Sequence, residues 1–162
     1  MLQAHAAGIA ALALAKSGPD YRADALAALV RADSFDVTTR QTPEQSVAYF
    51  CMPGHIARMR AKALRQLGDL PAAIDAATES LKLQAVRDRA ASHILLGVIY
   101  VDAGELEAGI ASILAGADDE ADNTSARLSG QLLDARTLVH IRAPGSASAR
   151  TLDARMEQLQ LI

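Results

Sequence analysis

Gly68-Asp69-Leu70-Pro71-Ala72-Ala73-Ile74 lies over Gly104-Glu105-Leu106-Glu107-Ala108-Gly109-Ile110 at a shift of 36 residues. The glycine, the acidic residue, the Leu and the Ile recur at matched places. Small residues face small residues within this stretch, with Ala73 over Gly109, and beyond it, with Ala61 over Gly97 and Ser80 over Gly116. A period of this length is the mark of a helix-turn-helix unit stacked on its own copy. A glycine ends the first helix of each pair, Leu and Ile on the second fill the space between them, and small residues sit where the helices cross closely.

The rest of the chain supports helices throughout. Of 162 residues, 35 are Ala and 21 are Leu, while aromatics make only 3 %. Ala and Leu lose little on entering a helix, whereas strands favour β-branched and aromatic side chains. An all-β fold is excluded. Disorder is excluded too, because 51 % hydrophobic against 22 % charged leaves ample apolar surface to bury. The single Cys rules out an intramolecular disulfide framework and a thiolate-rich zinc site. A net charge of −3 argues against a nucleic-acid-binding chain. Met1 to Ala15 is apolar but lacks the basic start of a signal peptide, its first basic side chain being Lys16. No run of about 18 apolar residues offers a membrane span. The default expectation is a cytoplasmic protein.

Helices are expected over 2–16, 20–33, 55–67, from Pro71 to about Lys82, 87–103, 106–118, 125–141 and 148–161. A short one should begin at Thr42-Pro43-Glu44-Gln45, where Thr caps, Pro enters the first turn and Gln follows three residues on. Ser17-Gly18-Pro19, Pro53-Gly54 and Ala143-Pro144-Gly145-Ser146 break the array. The second helix is expected to bury Tyr21, Ala25, Leu26, Leu29 and Val30 on one stripe.

Leu96-Gly97-Val98-Ile99-Tyr100 resembles the core motif of the tetratricopeptide repeat family, with Gly104 at the place of its turn glycine. Ala73 and Gly109 match its small-residue position, and Ala77 and Ile113 the large-residue position that follows. Arg60 departs from the pattern, standing where Leu is expected. Neither copy ends with the usual Pro. The resemblance implies an all-α superhelix of antiparallel helix pairs, about seven to nine helices, as a single domain over 1–162. Its best repeats would span 54–87 and 90–123, with a divergent pair at 2–33 and further helices at 125–141 and 148–161. Tyr49-Phe50, Arg87-Asp88-Arg89-Ala90 and Thr124-Ser125-Ala126-Arg127 also look like the C-terminal repeat region of actinobacterial helix-turn-helix transcription regulators. The DNA-binding domain that precedes the repeats in that family has no counterpart pattern in this sequence.

In a stack of helix pairs the first helices line a concave face. The register puts His55, Arg58, Lys62 and Arg65 there from one copy, and Ala91, Ile94, Val98 and Val101 from the other. A basic stripe beside an apolar one suits an amphipathic peptide or partner helix with an acidic edge. The bland alternative is a solvated charged face beside a core face. Direct contact with nucleic acid is not expected.

Catalytic signatures are weak. His5, His55, His93 and His140 form no metal-ligand pair, so no metal or cofactor is expected. Cys51 reads as a buried inert thiol, and Asp118, Asp119, Glu120 and Asp122 as a solvated loop. The glycines build no phosphate-binding loop. Three functions therefore compete. The first is a non-enzymatic protein or peptide interaction module, serving as the sensor part of a regulator. The second is a homodimeric scaffold capped through the apolar first helix. The third is an enzyme with His93, Tyr100 or His55 in a helical cavity.

Overall fold

The computed structural model describes residues 2–34, 52–84, 88–121 and 125–160. These contain helices and no strand: α1 (Leu2–Ser17), a 3-10 turn (Pro19–Tyr21), α2 (Arg22–Ser34), α3 (Pro53–Gln66), α4 (Leu70–Leu83), α5 (Arg89–Asp102), α6 (Leu106–Ala121), α7 (Ala126–Arg142) and α8 (Ala147–Gln158). The helix expected from Thr42, together with Tyr49, Phe50, Cys51, Arg87 and Thr124, lies outside the described residues. No helix among those described is long and apolar enough to cross a membrane.

Backbone contacts divide the chain into two compact units, Met1–Gln84 and Ala85–Ile162. In the first, α1 packs on α2 and α3, and α3 pairs with α4. In the second, α5 pairs with α6 and also meets α7, while α8 closes against α6 and α7.

The turn of each central hairpin follows from its glycine. Gly68 and Gly104 have φ of 76° and 86°, where a Cβ is disfavoured. Around Gly68, Asp69 N–H reaches the Leu64 carbonyl and Gly68 N–H the Arg65 carbonyl, both at 3.0 Å. Around Gly104, Glu105 N–H reaches Tyr100 at 2.9 Å and Gly104 N–H reaches Val101 at 3.2 Å. This is the Schellman arrangement, which satisfies carbonyls that the helix end would otherwise strand. Every one of these bonds recurs at a shift of 36 residues. Asp69 then caps α4 by accepting from Ala72 N–H at 3.4 Å, and Pro71 sits in the first turn, where its missing N–H costs nothing.

The two hairpins differ in how closely their helices meet. A Cβ built on Gly97 would lie 2.6 Å from the Gly109 carbonyl oxygen and 2.6 Å from Ile113 Cγ1. One on Gly109 would lie 2.6 Å from Val101 Cγ2. Backbone therefore touches backbone between α5 and α6. Hairpin α3–α4 carries methyl groups at the matching Ala61 and Ala73, both fully buried. Further along, Ser80 Oγ donates to the Gly54 carbonyl at 2.9 Å. At the equivalent place in the second hairpin, a Cβ on Gly116 would meet the Ala90 carbonyl at 3.0 Å. The same point of contact is bridged by a hydroxyl in one hairpin and by close approach in the other.

The units also differ in what they bury. In the second, Ile113, Leu132, Val139, Leu152 and Met156 are fully enclosed in one cluster. In the first, buried positions on α1 and α2 are mostly small: Ala4, Gly8, Ala11 and Ala15, then Ala25, Ala28, Leu29 and Ala32. This corrects the stripe expected for α2. Ala25 and Leu29 face inward, but Tyr21, Leu26 and Val30 stay exposed. The face of α2 that is buried is thus its alanine face and not the one with the larger side chains.

Gly97→Ala gains helix propensity but drives a methyl into backbone, and should destabilise the protein by about 1–3 kcal/mol in urea unfolding. Gly130→Ala, where the added Cβ meets nothing within 4 Å, should instead stabilise by up to about 1 kcal/mol.

Candidate interaction surfaces

The face of α3 expected to carry a basic stripe is only partly a surface. His55 is buried, with 5 % of its area exposed. Its Nδ1 lies 2.6 Å from Arg58 Nη2. A guanidinium only donates, so Nδ1 accepts in this contact. Arg58 is half-buried and directed inward at His55. Lys62 and Arg65 are half-buried, and both make polar contacts within the protein. Arg60 pairs with Asp33 of α2 at 2.5 Å.

The apolar stripe expected on α5 is core. Ile94 and Val101 are each 3 % exposed and belong to the cluster of the second unit, and Val98 packs against it. The physical reason is that α5 is packed by both α6 and α7. Ile94 and Val101 face α6, their Cγ atoms lying 2.8 Å and 2.6 Å from Cβ positions built on Gly116 and Gly109. Ile94, Val98 and Val101 therefore do not line a solvent-facing groove in this unit.

The structure builds polar constellations that the sequence did not disclose. Asp153 Oδ1 of α8 accepts from Arg136 Nε at 2.7 Å and His140 Nε2 at 2.9 Å, both on α7. Arg136 and His140 are four residues apart and share one helix face. The His140 hydrogen bond, aided by Arg136, holds the Asp153 carboxyl below its ordinary range, against the opposing effect of burial. Nearby, Asp118 Oδ1 on α6 accepts from Arg155 Nε at 2.9 Å and Nη2 at 2.6 Å on α8. An open cleft of about 360 Å³ runs beside that pair, lined by Leu114, Asp118, Thr151, Ala154, Arg155 and Gln158. In the first unit a cleft of about 170 Å³ lies among Ala15, Gly18, Pro19, Arg22, Gln66 and Leu67. There Arg22 Nη1 donates to the Leu67 carbonyl at 2.5 Å.

Within the acidic cluster, the two described side chains turn to different partners. Asp118 turns to Arg155, while Asp119 Oδ2 lies 3.9 Å from His93 Nε2. The side chains of Glu120 and Asp122 lie outside the described residues. Burial lowers the pKa of His93, opposed by the Asp119 charge and reinforced by Arg89. Tyr100 is half-buried on the same helix, about two turns along from His93. Among the described residues, no group of three or more His, Cys, Asp or Glu side chains is placed to hold a metal ion. No family model, curated protein or solved structure matches the chain.

Two pH dependences follow from these contacts. Asp153 has a depressed pKa in the fold, so its contribution is present at neutral pH and is lost as pH falls through the acid range. Asp153→Asn should cost about 1 kcal/mol at pH 7, by denaturant titration, and the gap should close in acid. His93 is also depressed, so the unfolded chain takes up its proton first. Stability should fall as pH drops below the ordinary imidazole value of about 6.5. Asp119→Asn removes the opposing charge and should steepen that fall, and His93→Gln should abolish it.

Proposed function

We propose that this chain is a non-catalytic helical-repeat module of the tetratricopeptide kind, which binds an acidic peptide or partner segment. The observation that carries the reading is the pair of central hairpins. Their turns share one hydrogen-bond pattern at a 36-residue shift, on a sequence that resembles that family. Repeated helical hairpins are a scaffold for extended recognition surfaces rather than for one buried reaction centre. The reading includes a cytoplasmic setting and a role as the sensor part of a transcription regulator, which rests on the resemblance alone.

The partner chemistry is drawn from α3. With Ile94, Val98 and Val101 committed to the core, apolar anchoring from α5 is not part of the proposal. Arg58 is committed to His55. Lys62 and Arg65 are the members of the stripe left to steer an acidic segment, in exchange for their contacts within the chain. Steering of this kind raises the association rate and sets specificity more than it adds affinity.

A displayed library of acidic and basic amphipathic peptides tests it. The intact chain should enrich acidic sequences. Lys62→Glu with Arg65→Glu should cut that enrichment by about tenfold, in line with two contacts turned repulsive, with helical circular dichroism unchanged. Enrichment without regard to peptide charge, or binding indifferent to the double swap, rejects the proposal.

A further inference from the structure

Helix α2 has two apolar sides. One is buried, at Ala25, Ala28, Leu29 and Ala32. The other is exposed, at Ala23, Leu26, Ala27 and Val30. Both rows follow the i, i+3, i+4, i+7 spacing of a helix-packing seam. The exposed row spans an arc of about 100° around the helix, and Val30 at its end keeps 68 % of its area exposed. A helix meant to face water on that side would carry polar residues there.

The charges beside this row are arranged about its centre. Asp24 and Arg31 are exposed and lie on one flank, about 90–110° from the centre of the row. Arg22 and Asp33 lie on the other flank, about 70–90° from it. Each pair is symmetric about the point between Ala27 and Ala28, within about one residue of the middle of the apolar row. Asp24 occupies the first turn and Arg31 the last, so each also suits the dipole of its own helix end.

We infer that the exposed face of α2 docks on α2 of a second copy of this chain, antiparallel across a two-fold axis near Ala27. In such an isologous contact each flank meets the same flank of its partner, reversed. Asp24 then faces the partner's Arg31, and Arg31 faces the partner's Asp24. The apolar rows close between them. Arg22 and Asp33 are held by Leu67 and Arg60 of their own chain, so the Asp24–Arg31 flank sets the register. The charge pattern selects the occupant. A uniformly acidic or basic partner meets repulsion from Asp24 or Arg31, whereas a reversed copy satisfies both. Two helices of this length bury well under the roughly 800 Å² per partner of a standard interface. The dimer is accordingly weak and depends on concentration. The inference stands apart from the peptide-binding reading and survives its failure.

Sedimentation velocity on the full chain, from low micromolar to millimolar concentration, tests it. The wild type should pass from monomer to dimer. Asp24→Arg and Arg31→Asp should each raise the dimer dissociation constant about tenfold, since two attractive contacts become repulsive. Mixing the two variants should restore association at the same total concentration, as should the double variant D24R/R31D. Val30→Glu should give a monomer whose melting temperature matches that of the dilute wild type. Three outcomes overturn the inference. One is a wild type that stays monomeric at millimolar concentration. Another is a dimer indifferent to the Asp24 and Arg31 swaps. The third is a Val30→Glu monomer that melts well below the dilute wild type, because the face is then covered by the chain's own residues.

Discussion

The contact between α5 and α6 at Gly97 and Gly109 constrains more of this structure than any other. With a carbonyl oxygen 2.6 Å from where a methyl would sit, the two backbones leave no room for side chains at their crossing. Ile113 and Val101 instead pack directly over the two glycine positions, and Ile94 packs over Gly116 further along. Glycine is entropically costly inside a helix, but its missing Cβ is what lets the two backbones come into contact here. The same closeness leaves one side of α5 available to α7, which brings Leu128, Leu132, Ala135 and Val139 into the cluster. The second unit is built outward from that crossing.

The first unit solves the same problem with methyl groups. Ala61 and Ala73 stand where the glycines would be, and α1 and α2 bury a nearly continuous alanine row. Alanine permits close packing without the entropic cost of glycine, but each residue removes little apolar area from water. The cohesion of this unit is therefore spread over many small contacts. It is supplemented by links such as Arg60 to Asp33, Arg22 to the Leu67 carbonyl, and Ser80 to the Gly54 carbonyl.

What was legible in the sequence was the local and the periodic. Glycines 68 and 104 announced their turns because the conformation needed there is one that other residues resist. Gly97 over Ala61 and Gly109 over Ala73 announced close crossings because size at a crossing is read directly from residue type. The helices of the described residues fell near their expected bounds. Faces were harder. On α2 a rule that buries the largest side chains picks Leu26 and Val30, while the packing buries Ala28 and Ala32, so the identity of the buried face follows from which helices α2 meets and not from its own residues. On α5 the residues themselves were equally suited to a groove or a core, and the close packing of α6 against Ile94 and Val101 decided between them. His55 read as a member of a basic groove face because of its register, yet it is buried and accepts a hydrogen bond from Arg58. The Asp153 cluster left no local trace. Its members come from two helices, and only their packing brings Arg136 and His140 to one carboxylate oxygen.

The Schellman turns at Gly68 and Gly104 bear on how the chain acquires its structure. Each links helices whose contacts lie within roughly three dozen residues, so little loop-closure entropy opposes their meeting. Chains dominated by such short-range pairings cross low kinetic barriers. Either turn offers a starting point for collapse, and the slower task falls to α1 and α2, whose partner α3 stands across the whole of residues 35–52 in the chain.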